Sequence, residues 1–312
     1  MVGETRPGRG EMPSDLTTLI ERATDADTRP LLRAGLLGRG IQESLSPRMH
    51  EAEGARFGLR YQYRLFDFDE LGLADSDLPV LLRKLRLGGY AGCNITHPFK
   101  ERVAQLLDRL SDDAVSVGAV NTIVFEDGKT VGHNTDCWGF AESFRRGLEN
   151  PRLDRVVLIG AGGAGRAVAR ALIDLGARHL AIRDTDREKA SRLASILDVA
   201  ASATSAAVVT DLEAALRSAD GLVNTTPVGM AKYPGIPVDP ICLRADLWVA
   251  DIVYFPAETE LLRAATAAGC DTLPGEGMAI FQAVGAFQLI TGEIPDPGEM
   301  ARHFRSPDPP PR

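Results

Sequence analysis

The chain has little of what would tie it to a disulfide frame, a metal or a polyanion. Cysteine occurs only at Cys93, Cys137, Cys242 and Cys270, with no C-x-x-C pair. That spacing argues against a zinc ribbon or a disulfide scaffold and for reduced thiols. The histidines, His50, His97, His133, His179 and His303, show no metal-ligand spacing, so no metal is expected. Acidic residues outnumber Lys and Arg by 43 to 35, giving a net charge of −8, and no basic stripe offsets this. Nucleic acid is therefore not an expected partner. No apolar run approaches the ~18 residues of a membrane-spanning helix, and the N-terminus lacks the apolar core of a signal peptide. No membrane partner is expected, and the chain reads as cytoplasmic.

What is present is ordinary globular material, 44% hydrophobic and 25% charged, in 312 residues that suit two domains. Residues 1–30, rich in Arg, Gly, Pro and acids, read as a flexible extension with one short helix near Asp15–Ala23. Arg302–Arg312, ending Pro-Asp-Pro-Pro-Pro-Arg, reads as a similar tail, with 305–312 outside any domain.

The most informative stretch is Arg155–Ala169. Arg155–Ile159 reads as a buried strand, Gly160, Gly162 and Gly165 fall on a G-x-G-x-x-G spacing, and Arg166–Leu175 continues as a helix closed by Gly176. Gly160 allows a tight turn, Gly162 lets a pyrophosphate approach the backbone, and Gly165 lets helix and strand pack closely. Gly160, Ala161, Gly162, Gly163, Ala164 and Gly165 are the expected cofactor-binding residues, with the free N–H groups at the helix start holding the phosphates. Further strands are expected at 179–183, 205–209, 221–225 and 247–252, alternating with helices near 186–197, 211–218 and 258–268. That alternation predicts a doubly wound parallel sheet of Rossmann type over 150–276.

The first half is a separate α/β domain, 31–135. Its expected strands are Leu31–Gly38, Tyr61–Phe66, Tyr90–Ile95 and a hairpin, Ala119–Phe125 with Lys129–Asn134, around Glu126-Asp127-Gly128. Ser46 before Pro47 reads as a helix N-cap. A last helix, Met278–Ile290, carries an apolar stripe of Ile280, Ala283, Val284, Phe287 and Ile290. Polar residues gather at predicted strand ends of the first half: Ser44, Ser46, Asn94, Thr96, Asn121 and Thr135, with Lys100 and Asp136. Taken singly, each is most simply a turn or cap residue. Concentrated beside a dinucleotide domain, they suit a small ring carrying several hydroxyls. Lys100 then reads as a general acid/base or an electrostatic partner for an alcohol that becomes a carbonyl, and Asp136, if adjacent, would orient it.

Seven stretches besides the glycine turn, in order, carry a resemblance: Ser44-Leu-Ser-Pro47, Asn94-Ile-Thr-His-Pro-Phe-Lys100, Gly118-Ala-Val-Asn-Thr122, Gly132-His-Asn-Thr-Asp136, Asn224-Thr-Thr-Pro-Val-Gly229, Asp251-Ile-Val-Tyr254 and Gly277-Met-Ala-Ile-Phe-Gln282. The chain resembles the shikimate dehydrogenase family, and within it the quinate/shikimate dehydrogenases of actinobacterial type, over about Leu31–Phe304. The resemblance implies a catalytic Lys100–Asp136 pair and puts Ser44 and Ser46 at the substrate carboxylate. It puts Asn94, Lys100, Asn121, Asp136 and Gln282 around the ring hydroxyls, with Thr96 and Tyr254 close by. It implies that residues 277–304 return to complete the first domain, and that Thr225, Pro227, Val253, Gly275 and Met278 lie beside the cofactor.

NADP-preferring members typically carry Asn-Arg-Thr where this chain has Arg183-Asp184-Thr185. Asp184 would bond the adenosine ribose and repel a 2′-phosphate, so NAD is expected. NADP, held by Arg183 and Arg187, is the alternative. Ser46, where quinate-tolerant members look to have threonine, favours shikimate over quinate. Alternatives are an amino-shikimate dehydrogenase or a dinucleotide-binding sensor without turnover. Oligomeric state is left open, a homodimer included.

Overall fold

The structure is a computed structural model, and it describes residues 29–200 and 204–306. The helix expected near Asp15–Ala23 lies outside them. The chain folds into two α/β lobes, each built on a six-stranded sheet.

The first sheet is mixed, with order β2-β1-β3-β5-β6-β4. Its strands are β1 (Leu31–Gly38), β2 (Arg60–Asp67), β3 (Gly92–Ile95), β4 (Arg109–Leu110), β5 (Thr122–Glu126) and β6 (Lys129–His133). The expected hairpin is β5–β6, turning at Asp127 and Gly128, both at positive φ. Helices α1 (Ser46–Arg56), α2 (Leu78–Leu87), α3 (Lys100–Val103) and α4 (Asp112–Val117) connect the strands. The second sheet is parallel throughout, with order β12-β11-β10-β7-β8-β9. It is formed by β7 (Arg155–Ile159), β8 (His179–Arg183), β9 (Ser205–Val208), β10 (Gly221–Asn224), β11 (Trp248–Asp251) and β12 (Asp271–Leu273). Counted from β7, this is the 3-2-1-4-5-6 order of dinucleotide-binding sheets, with its switch point between β7 and β10. Helices α6 (Gly163–Asp174), α7 (Arg187–Ala200), α8 (Leu212–Leu216) and α9 (Glu260–Ala267) cross between strands.

Two helices tie the lobes together. Helix α5 (Thr135–Gly147) leads from the first sheet to the second, and α10 (Glu276–Thr291) lies along it on the way back. Glycine permits the close approach: a Cβ at Gly139 would come within 2.7 Å of the Gln282 nitrogen, and one at Gly277 within 2.2 Å of Ser143 Oγ. The five stripe positions of α10 are all buried, against Ala34, Leu36, Met49, Tyr61 and Tyr63 of the first lobe. Helix α2 and Phe99 cover the opposite face of that sheet. The second sheet is sandwiched likewise, α5, α6 and α7 on one face and α8 and α9 on the other.

Some expectations need correcting. Ser46 is not the N-cap of α1; Leu45 is, and Ser44 Oγ accepts the Ser46 N–H at 3.3 Å. The tail begins later than Arg302, because α11 (Pro297–Arg305) is helical, capped by Asp296 with Pro297 in its first turn. That is a cap-and-proline start of the usual kind, masked in the sequence by the proline-rich end that follows. Strands β4 and β12, of two and three residues, carry too short a pattern to read.

One buried group sets a pH dependence. His50, 1% exposed, sits among the rings of Tyr61, Tyr63 and Phe287, with Nδ1 3.3 Å from the Tyr61 hydroxyl. Burial pushes its imidazole down to about 3 from an ordinary 6.5. Between those values the unfolded chain binds a proton that the native state refuses, so stability falls as pH drops through that window. The expected loss is about 1.4 kcal/mol per pH unit, or roughly 2 kcal/mol between pH 6.5 and 5. Denaturant titrations of wild type and His50→Gln at both pH values check this: the variant's slope should be shallower by about one proton, and equal slopes would refute it.

Candidate active site

Strand pairing gathers the polar residues of the first lobe. Asn94 on β3 stands opposite Thr122 on β5, and Thr122 opposite His133 on β6. Just past β6, Asn134 caps α5, its Oδ1 accepting the N–H groups of Asp136 and Cys137 at 3.1 and 3.2 Å. That cap fixes Asp136 in the first helical turn, 3% exposed. Lys100 opens α3, and its Nζ donates to Asp136 Oδ2 at 2.5 Å. The other carboxylate oxygen, Oδ1, accepts from Asn121 Nδ2 at 2.8 Å. Both side chains of the pair are shielded, 17% and 5% exposed. Burial of an ion pair at this separation demands such additional hydrogen bonds.

The pair faces the glycine turn of the other lobe. A Cβ built on Gly163 would lie 3.1 Å from Lys100 Cβ, so the lysine stem rests on the first residue of α6. The joint is closed by Arg166, whose guanidinium reaches Glu101, the neighbour of Lys100, at 3.2 Å. A small apolar cluster of Val117, Ala119 and Ala167 packs beside it.

The turn has the shape a pyrophosphate needs. Gly160 adopts φ +103°, and a Cβ at Gly165 would fall 2.2 Å from the Gly160 carbonyl oxygen, so strand and helix meet there without side chains. A Cβ at Gly162 would meet nothing within 4 Å. That open space adjoins the start of α6, where the first N–H groups lack intrahelical partners. Thr225 Oγ1 lies 2.8 and 3.0 Å from the carbonyls of Ile159 and Gly160 and braces the turn from β10. Ala161 donates its N–H to Asp184 Oδ2 at 2.7 Å, while Asp184 Oδ1 accepts from Asp186 N at 2.8 Å. Asp184 thus fastens the turn to the end of β8, a task the sequence did not reveal.

The other expected residues are placed unevenly. Asn94, Asn121 and Thr135 join the network on Asp136, and the Thr135 hydroxyl also donates to the Gln282 carbonyl at 2.9 Å. The Gln282 amide donates to Ala279 O. Thr96 is half-buried, its methyl tight against Gly38. Ser44 and Ser46 are half-buried at the start of α1. Tyr254 stands at an exposed lip, edge-on to Phe304 with ring centroids 5.8 Å apart, outside the network. Pro227 is exposed in the loop after β10. Gly275 abuts the carbonyls of Ile252 and Val253. Met278 is buried in the core beneath the second sheet, so its side chain serves packing.

Sequence reasoning missed Asp67, at the end of β2. Its carboxylate accepts from Gly40 N, Ile41 N, Gln42 Nε2 and Asp69 N at 2.9–3.1 Å, holding the loop that leads to Ser44 and Ser46. Burial opposes its charge, but those four donors outweigh burial and hold the carboxyl below its usual range.

A lysine–carboxylate pair lodged against the phosphate turn of a doubly wound sheet defines a two-domain NAD(P)-linked oxidoreductase. Two family models match the chain: the shikimate dehydrogenase substrate binding domain over residues 36–123, and shikimate / quinate 5-dehydrogenase over residues 144–229. The chain belongs to the shikimate dehydrogenase family. It is 54% identical over 264 residues to shikimate dehydrogenase (NADP(+)) of Streptomyces avermitilis, covering 84% of this chain and 91% of that protein. It is 46% identical over 275 residues to quinate/shikimate dehydrogenase (NAD(+)) of Corynebacterium glutamicum, covering 87% and 97%. Quinate dehydrogenase from C. glutamicum, solved in complex with NAD, superposes with a TM-score of 0.83 at 45% identity, over 88% of this chain and 99% of that one.

Proposed function

We propose that this protein interconverts shikimate and 3-dehydroshikimate, with quinate as a second substrate and NAD as the preferred cofactor. The observation that carries the reading is the Lys100–Asp136 pair, 2.5 Å apart, with the lysine stem on Gly163 of the glycine turn. Oxidation of a secondary alcohol removes a hydride and a proton. Bound nicotinamide supplies the hydride acceptor. Lys100, steadied by Asp136, stands where the hydroxyl proton is taken up or relayed. Asn94, Asn121 and Gln282 hold the ring hydroxyls, and Ser44 and Ser46 the carboxylate. The reading places the protein in the cytoplasm.

The two relatives named above differ in cofactor, so overall similarity does not choose between NAD and NADP. Asp184 supports NAD in this reading: its carboxylate, on the turn side of β8, would repel a 2′-phosphate. Steady-state kinetics of shikimate and quinate, each with NAD and NADP, test the reading. The highest kcat/KM is expected for shikimate with NAD. A higher value with NADP overturns the cofactor assignment, and no turnover in any combination overturns the function.

A further inference from the structure

We infer that Tyr63 is a positioning residue for substrate recognition: its hydroxyl holds Asn94 so that this amide meets a ligand only as a hydrogen-bond acceptor. The inference rests on the function proposed above and names the polarity of one of its contacts. Tyr63 lies on β2, 5% exposed, and its O–H donates to Asn94 Oδ1 at 2.7 Å.

The orientation of Asn94 is forced by its surroundings. Its Nδ2 lies 3.3 Å from the Asn121 backbone carbonyl, which can only accept. Turning the amide over would set two acceptors against each other. The nitrogen therefore faces Asn121 O and Thr122 Oγ1, the latter at 3.0 Å, and the oxygen faces Tyr63. Both Asn94 N–H groups are then spent inside the protein, and a lone pair on Oδ1 is what remains.

The same logic fixes the next links. Asn121 Oδ1 accepts the Thr135 backbone N–H at 2.8 Å, so Asn121 Nδ2 must face Asp136. Thr122 Oγ1, accepting from Asn94, donates to Asn121 Oδ1 at 3.0 Å. The donors thus run in one direction, from Tyr63 through Asn94, Thr122 and Asn121 to the Asp136 carboxylate, where Lys100 arrives from the other side. Hydrogen bonds aligned in this way polarise one another.

The consequence is chemical. An acceptor pairs with an alcohol but not with a ketone. Asn94 therefore reads a ring hydroxyl that stays an alcohol in both substrate and product. Lys100 Nζ, an acid/base group that can give a proton to an oxygen or take one from it, suits an oxygen that is a hydroxyl on one side of the reaction and a carbonyl on the other. The site calls for a cyclic polyol with a hydroxyl besides the one oxidised, and Tyr63 sharpens that demand.

The test uses the full chain, wild type and Tyr63→Phe, with shikimate, quinate and shikimate analogues in which one non-reacting hydroxyl is replaced by hydrogen. Tyr63→Phe should raise KM for shikimate roughly 10-fold, with kcat within about 3-fold and KM for NAD unchanged. Wild type should reject one deoxy analogue by a factor of about 100 or more, and the variant should discriminate against that analogue about 10-fold less. Thr122→Val, which cuts the next link, should show the same selective rise in KM and guards against a folding defect peculiar to Tyr63→Phe. An active wild type whose two variants keep its KM and its discrimination overturns the inference alone. A wild type that turns over neither shikimate nor quinate overturns the functional reading, and the inference with it.

Discussion

Replacing Lys100 by alanine is expected to lower kcat by roughly 10²- to 10⁴-fold, the span over which a positioned acid/base acts. KM for the cofactor should stay near wild type, because it is the aliphatic stem of the side chain that lies against the glycine turn, at Gly163. The fold should survive. Asp136 keeps its place through the Asn134 cap and its bond from Asn121 Nδ2, and it gains access to water where the lysine was. A thermal midpoint within a few degrees of wild type, measured beside the kinetics, would separate lost chemistry from lost structure. Asp136→Asn should be impaired as well, and the double variant should be hardly worse than the poorer single one, since two groups acting as a unit do not add. A Lys100→Ala enzyme with wild-type kcat would remove the basis for assigning chemistry to this pair.

How much of this could be read from the chain depends on the range of the interactions involved. The second lobe was legible because its signals are local. Behind an exposed Arg155, Val156–Ile159 is an unbroken apolar run buried on both sides, the glycines follow at once, and an alanine-rich helix follows them. The sheet order then follows from right-handed crossovers. The α10 stripe was legible for the same reason, its periodicity lying within one helix. The site was legible only in part. Lys100 and Asp136 are 36 residues apart, and spacing alone does not bring them to 2.5 Å; that expectation came through the resemblance. Tyr63, Asp67 and the Arg166–Glu101 contact were missed because each owes its role to strands or lobes that meet only after folding. A weak signal did exist for Asp67: an acid closing an apolar strand must find donors or stay in water. Ser46 shows the limit of cap reasoning: it already lies inside the helix, and the N-cap position falls on Leu45, which has no side chain able to cap.

The second large effect is expected at Gly162. The residue holds φ −77° and ψ −171°, extended backbone open to any side chain, and a Cβ there meets nothing within 4 Å. Gly162→Val should therefore fold like wild type, with a thermal midpoint within a few degrees. The space it fills is the space through which, on the proposed reading, a pyrophosphate would approach the start of α6. KM for NAD should rise by about 100-fold or more, and direct binding of NADH, followed by fluorescence, should weaken in parallel. Gly165→Ala is the contrasting case. Its Cβ would lie 2.2 Å from the Gly160 carbonyl oxygen, so the helix must move off the strand. Overpacking of that kind costs about 1–3 kcal/mol, and here the thermal midpoint should drop along with cofactor affinity. The two glycines of one turn thus separate: one is needed for the ligand, the other for the fold. Wild-type NAD affinity in Gly162→Val would mean that the dinucleotide does not cross this turn, and the placement of nicotinamide beside Lys100 would have to be abandoned.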